Sequence, residues 1–260
     1  MTFIETTVEI AREAGGLLRE LARQKLVVDY KSVNDLVTNA DRASEKLILH
    51  RLRIAFPDHQ VLAEESAGGR PPKPESFPEF LWVIDPLDGT TNYAHGLPLY
   101  CVSMGLLHHG QPFLGVVYDP ERDELFTGGP AMGALLNGKP ISVSAEKELG
   151  RSVLATGFPY DIKTSPANNL GIFGRFCLRC QAVRRLGSAA LDLCYLACGR
   201  LDGFWELKLH PWDTAAAWAI ILGAGGKVTA YDGSPFDPFA LETLATNGLI
   251  HDQMEAVLHE

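Results

Sequence analysis

Trp82-Val83-Ile84-Asp85-Pro86-Leu87-Asp88-Gly89-Thr90-Thr91-Asn92 is an apolar run that ends in two aspartates spaced i, i+3, then a glycine and two hydroxyl residues. The run reads as a buried strand that delivers carboxylates at its end and turns into a short helix. Pro86 has no N–H to donate, so the strand ladder is expected to stop there. Asp85 and Asp88 then stand close together, and like charges at that distance repel unless a cation lies between them. Gly89 permits close backbone approach, and the free N–H groups of Gly89, Thr90 and Thr91 open a helix whose start attracts an anion such as phosphate. Hard divalent cations beside a phosphate pocket imply metal-assisted phosphoryl chemistry.

Outward from this stretch, the N-terminal half reads as two helices on a largely antiparallel sheet. Ile4, Val8, Ala11, Gly15, Leu18 and Ala22 recur at helical spacing. The first residues therefore read as an amphipathic helix, where an export signal would need a basic start and an unbroken apolar run. After a β-rich segment around a polar turn (27–38), Asn39-Ala40-Asp41 opens a second helix to about Phe56. Gln60 to Ala63 is a short strand ending in Glu64-Glu65-Ser66. Residues 67–78, with two glycines and four prolines, read as a solvated loop, a candidate flap. Strands follow from Leu99 to His108 and from Phe113 to Tyr118, and Asn137-Gly138 is a strong hairpin signal.

Near residue 145 the rhythm changes to alternating strands and helices, which implies a sheet sandwiched by helices. The expected strands are 153–156, 182–186, 204–207, 227–229 and 243–246. The expected helices are 168–180, 188–198, 212–223 and 249–258. The chain thus divides at 145 into an N-terminal α+β lobe, 1–145, and a C-terminal α/β lobe, 146–260, packed as one rigid body.

Composition narrows the class. With 260 residues, 46% hydrophobic and 21% charged, the chain has the content of an ordinary globular enzyme. A formal charge of −9 argues against a general nucleic-acid binder. No apolar stretch reaches transmembrane length, so a cytoplasmic location is expected. The five cysteines are odd in number and scattered. Cys177 and Cys180 form a CxxC, but no second pair or nearby histidine completes a zinc set.

Four acids fall at strand or helix ends: Glu64, Asp85, Asp88 and Asp213. Each alone has a bland account, since an Asp at a helix start caps it and an Asp before Gly makes a turn. Together they would surround one pocket with carboxylates, which few folds tolerate without metal.

In these motifs the chain resembles the inositol monophosphatase family, within the metal-dependent, lithium-sensitive sugar phosphatases. The matching residues are Asp35-Leu36-Val37-Thr38 with Asp41 and Glu45, Glu64-Glu65-Ser66, and Trp82 to Asn92. Further matches are Arg185 to Ala190, Glu206, and Trp212-Asp213 followed by Gly223-Ala224-Gly225-Gly226. The resemblance implies a layered αβαβα sandwich of the sugar phosphatase type, two or three Mg²⁺ ions, and a homodimer. It assigns Glu64, Asp85 and the Leu87 carbonyl to one metal, and Asp85, Asp88 and Asp213 to a second. Gly89 and Thr90 would cradle phosphate, beside Asp88 and Asp213. Asp41 would hydrogen-bond Thr90, and that pair with Glu64 would activate a water. Gly187, Ser188, Ala189 and Glu206 would contact the polyol, with Glu65 and Lys31 in support.

The activity so implied is hydrolysis of a small phosphate monoester, myo-inositol monophosphate first, by an activated water without a covalent intermediate. The alternatives are the same chemistry on histidinol phosphate, fructose 1,6-bisphosphate or 3′-phosphoadenosine 5′-phosphate. A further alternative is a non-catalytic role with transcription or ribosome-assembly partners, known among bacterial relatives.

Overall fold

The computed structural model of the chain describes residues 2–24, 27–32, 35–71 and 73–260, with backbone alone at 30–32 and 35. Helix α1 (Phe3–Leu21) begins with a Thr2–Glu5 capping box and packs against α2 (Asn39–Ala55). Between them, β1 (Val28–Ser32) and β2 (Asp35–Thr38) pair antiparallel.

A seven-stranded sheet follows. Its strands are β3 (Gln60–Ala63), β4 (Phe80–Asp88), β5 (Cys101–His108), β6 (Gln111–Asp119), β7 (Glu124–Gly129), β8 (Gly133–Leu136) and β9 (Lys139–Pro140), in that spatial order. β3 and β4 are parallel and every later pair is antiparallel. The turn between β8 and β9 has both Asn137 and Gly138 at positive φ, as an Asn-Gly hairpin requires.

The second sheet takes β10 (Val153–Thr156), β11 (Ala182–Arg184), β12 (Gly203–Leu207), β13 (Lys227–Thr229) and β14 (Glu242–Thr246), ordered β11-β10-β12-β14-β13. β10 is parallel to β11 and β12, whereas β14 is antiparallel to both its neighbours. The sheet is therefore mixed, a detail that strand–helix alternation cannot reveal. Four helices accompany it: α5 (Leu170–Cys177), α6 (Ala189–Ala197), α7 (Pro211–Gly223) and α8 (His251–Leu258).

Packing orders these parts as α/β/α/β/α. Side chains of alternate parity on β4, β5 and β6 (Trp82, Ile84, Val102, Met104, Val116) meet Ile10, Leu18, Ile48 and Leu52 of α1 and α2. The opposite face meets α6 and α7, which are buried all round and share one core with β12 and β14. Phe176, Trp205, Leu244 and Met254 form the outer layer beneath α5 and α8. The expected layered sandwich is the observed fold, and α6 and α7 bind the two sheets into one body.

Two local expectations need correction. α5 is shorter than 168–180: Asn169 adopts a left-handed conformation (φ 69°), and its side chain bonds Thr156, Gly157 and Trp205 before the helix starts. Pro86 also does not end β4. Pairing with β3 stops at Ile84, but pairing with β5 resumes beyond a bulge, from Asp85↔Ser103 to Asp88↔Cys101. A proline without an N–H is accommodated at such a bulge.

α7 lies directly on the sheet because Gly105 and Gly115 face each other across β5 and β6. A Cβ at Gly105 would fall 2.7 Å from the Ala216 nitrogen, and one at Gly115 would overlap the Ala216 carbonyl. Gly115→Ala should therefore destabilise the protein by about 1–3 kcal/mol in urea unfolding. Gly16→Ala, on the open side of α1 with nothing within 4 Å, should be neutral or stabilising.

Candidate active site

The bulge in β4 aims both aspartates at one point. Asp85, 2% exposed, accepts the Leu87 N–H at Oδ1 (2.9 Å). The Pro86 carbonyl, turned out by the bulge, accepts the Ser44 hydroxyl of α2 at 2.8 Å. Asp88 reaches across to α6, where its Oδ2 accepts the Ser188 hydroxyl (2.5 Å) and the Ala190 N–H (2.8 Å). Ser188 is also the N-cap of α6. A carboxylate there is favoured by the helix dipole and by the N–H groups of the first turn.

Asp213 arrives from the first turn of α7, its Oδ2 held by the His210 N–H at 2.6 Å. Asp85, Asp88 and Asp213 each offer a carboxylate oxygen, and these oxygens lie within 4.8 Å of one another. Burial first, then the charges of its neighbours including Glu64, pushes the Asp85 carboxyl well above the usual carboxylate range. Asp213 is raised in the same way, by burial and then by Asp88 and Glu64. Asp88 is raised by burial against the pull of Ser188 and Ala190. Such a set is stable as carboxylates only with positive charge between them. Its donors are all hard oxygens, which suit Mg²⁺, Mn²⁺ or Ca²⁺.

Glu64 and Glu65 open α3 (Glu64–Ala67) at the end of β3. This turn is pinned by a residue to which sequence reading gave no role. Glu45, on α2 and 5% exposed, accepts the Glu65 N–H (2.8 Å) and the Ser66 hydroxyl.

Beside it, the short helix α4 (Thr90–Ala94) starts from Gly89 at φ 92°, where a Cβ would sit 2.8 Å from the Leu99 carbonyl oxygen. Only glycine fits that turn. The Thr90 hydroxyl has one hydrogen and two acceptors in reach, Asp41 Oδ1 at 2.9 Å and the Leu87 carbonyl at 3.0 Å. Asp41, 1% exposed, completes the α2 capping box by accepting the Thr38 N–H and hydroxyl at Oδ2. Burial raises its pKa against those bonds.

These groups border an open cavity of about 1480 Å³ between the two sheets. Glu64, Asp88 and Asp213 line it, and beside them, joined through the Ser188–Asp88 hydrogen bond, so do Gly187, Ser188, Ala189 and Glu206. Asn92 clamps this second group to α4, donating to the Leu99 and Leu186 carbonyls at 2.8 Å each. Glu206, 8% exposed, is pushed up to about 8 by burial and by the Asp88 charge, against the pull of Arg185. Glu206 is thus a buried strand residue facing the cavity.

The candidate flap is latched. Arg70 donates to the carbonyls of Leu209 (2.5 Å) and Ala240 (3.2 Å), and Lys73 pairs with Asp237 at 2.6 Å. Lys31 lies in β1, and its side chain falls outside the described residues. Cys101 is fully buried with its thiol pushed up by burial, as a core residue should be.

The family model for the inositol monophosphatase family matches residues 1–260. The chain belongs to that family. It is 46% identical to the inositol-1-monophosphatase of Synechocystis sp., over 99% of this chain and 88% of the relative. It is 40% identical to the Nus factor SuhB of Escherichia coli K12, over 88% of this chain and 85% of the relative. The solved inositol monophosphatase of Anabaena (Nostoc) sp. PCC 7120 superposes with a TM-score of 0.87 at 45% identity, covering 99% of this chain and 94% of that one. By class, a member of this family is a phosphoric monoester hydrolase. No helix among the described residues is long and apolar enough to cross a membrane.

The raised pKa values of Asp85, Asp88, Asp213 and Glu206 mean that the folded chain binds more protons than the unfolded one above the ordinary carboxylate range. Stability without metal should therefore fall as pH rises through that window. In chelator, the thermal midpoint should drop between about pH 5 and pH 8, and added Mg²⁺ should raise it more at the higher pH. Differential scanning fluorimetry measures both.

Proposed function

We propose that the protein hydrolyses a small polyol phosphate, myo-inositol monophosphate foremost, using Mg²⁺ and a water nucleophile. The observation that carries this reading is the cluster of Asp85, Asp88 and Asp213 beside a cavity that also presents Ser188, Ala189 and Glu206, with Ser188 bonded to Asp88. Charge is thus concentrated where a phosphate would sit, and hydrogen-bonding groups where its alcohol would sit.

Glu64, Asp85 and the Leu87 carbonyl would hold one ion, and Asp85, Asp88 and Asp213 another, with Glu64 reaching a weaker third. When bound, the ions supply Lewis acidity and neutralise charge on the transferring phosphoryl group. Everything else falls to the chain. The first N–H groups of the Gly89–Thr90 turn orient the phosphate oxygens.

With the Leu87 carbonyl engaged as a ligand, the Thr90 hydroxyl keeps Asp41 as its acceptor. Its oxygen is then oriented to accept a hydrogen bond from the attacking water. That water's proton passes to Glu64 or, through Thr90, to Asp41, whose burial makes it a better base than an exposed carboxylate. Glu65 supports Glu64 through the turn that Glu45 pins. We also propose a cytoplasmic homodimer, on the likeness to the family.

Phosphate release with Mg²⁺, run on inositol 1-phosphate, histidinol phosphate, fructose 1,6-bisphosphate and 3′-phosphoadenosine 5′-phosphate, tests the reading. Inositol 1-phosphate should be turned over best; no release from any substrate by metal-loaded protein would overturn it. Asp88→Asn should lower kcat by about 100-fold or more with the fold intact, since it strips one charge and keeps the Ser188 and Ala190 bonds. Near-full turnover in that variant would remove Asp88 from the ligand set.

Li⁺ should inhibit at the second ion site, and insensitivity at high Li⁺ would count against it. The 40% identity to a Nus factor supports a second reading, a transcription partnership. Co-elution with RNA polymerase, undiminished in Asp88→Asn, would establish that role alongside or in place of catalysis.

A further inference from the structure

One buried acid lining the cavity has no part in the chemistry above. Asp192 lies one turn beyond Ser188 on α6, so the two side chains share a helix face, and Asp192 lines the same cavity. It is 2% exposed, and its Oδ1 has no hydrogen-bond partner. Its neighbours in the helix, Leu191, Leu193, Cys194 and Leu196, are buried and apolar.

An acid at such a position costs stability, because a buried oxygen without a donor loses its water and gains nothing. The helix dipole eases its charge but does not supply the missing donor. Glu206, on β12, lines the same cavity, and β12 packs against α6; after burial, its charge is what most raises the Asp192 carboxyl. The Glu206 carboxyl lies against Gly157, in space that a Cβ there would fill.

We propose that Asp192 is a specificity-determining residue, forming with Glu206 a two-carboxyl clamp that accepts adjacent hydroxyls of a polyol leaving group. The inference rests on the phosphatase reading. Two nearby carboxyls lining one cavity match two O–H donors on neighbouring carbons, and a substrate hydroxyl supplies a donor that the Asp192 carboxyl otherwise lacks. Arg185, whose guanidinium lies over the Phe158 ring at 5.6 Å and whose charge reaches Glu206, brings a cation to this side of the cavity. The clamp binds and orients; it transfers no proton and touches no phosphoryl oxygen.

The test uses the full chain with Asp192→Leu and Asp192→Asn. Asp192→Leu should lower kcat/KM for inositol 1-phosphate by about tenfold or more, chiefly through KM, and leave p-nitrophenyl phosphate within about twofold. Its thermal midpoint should equal or exceed that of the parent, since an orphaned acceptor is removed. Asp192→Asn, which keeps one acceptor oxygen, should recover part of the loss.

Equal losses on both substrates, or a lowered midpoint without recovery in Asp192→Asn, would reduce Asp192 to a structural residue. An unchanged ratio would overturn the clamp, as would a loss confined to histidinol phosphate. If the parent protein turned over neither ester, the phosphatase reading would fall alone. The clamp is then judged by calorimetry, where Asp192→Leu must weaken inositol 1-phosphate and spare inorganic phosphate; equal affinities would sink it.

Discussion

Like-charge crowding at Asp85, Asp88 and Asp213 is the constraint on which the rest of this structure turns. Three carboxyl groups with oxygens within 4.8 Å of one another repel unless each is held by the frame and the charge is balanced. The frame holds them by the starts of two helices. Asp88 is taken by Ser188 and the first turn of α6, and Asp213 by the His210 N–H at the start of α7. Asp85 is held by its own bulge. Because α6 and α7 lie between the sheets and share their core, the acids are fixed by the packing of the whole molecule.

The same frame sets the geometry of the remaining parts. Strand β4 carries a bulge where Pro86 cannot donate, and Ser44 of α2 fastens the bulge through the Pro86 carbonyl. From α2 also come Asp41, which orients Thr90, and Glu45, which pins the turn bearing Glu64 and Glu65. One helix thus positions the hydroxyl, the bulge and the third acidic arm. The Glu206 side of the cavity is built from other elements, from the β11–α6 turn clamped by Asn92 and from β12.

Local chemistry was legible wherever the signal was local. β3, β10 and β13 follow from short β-rich runs, and the β8–β9 hairpin from Asn137-Gly138. The α6 helix follows from its apolar run within 188–198, and the site acids from their place at element ends. Where reading fell short, a distant partner had intervened. Asn169 leaves its helix to bond Thr156 and Trp205, and β14 pairs antiparallel with both β12 and β13, between which it lies. Glu45 and Asn92 stand in the recognised motifs, but their roles and that of Ser44 carry no local mark, since each acts through a backbone group far along the chain or on another element.

By itself, then, the sequence determined the element order, the layered class, the family and the residue types gathered for chemistry. Each of these follows from periodicity, from turn-forming residues and from motifs contiguous in the chain. Only the tertiary structure decided which acids share one point, which hydroxyl faces Asp41, and that Asp192 is buried with an unmet oxygen beside Glu206. Those facts depend on how α2, α6 and α7 cross the sheets. Crossings are set by packing between residues far apart in sequence, as at Gly105 and Gly115 beneath Ala216, and such distances are written in no local pattern.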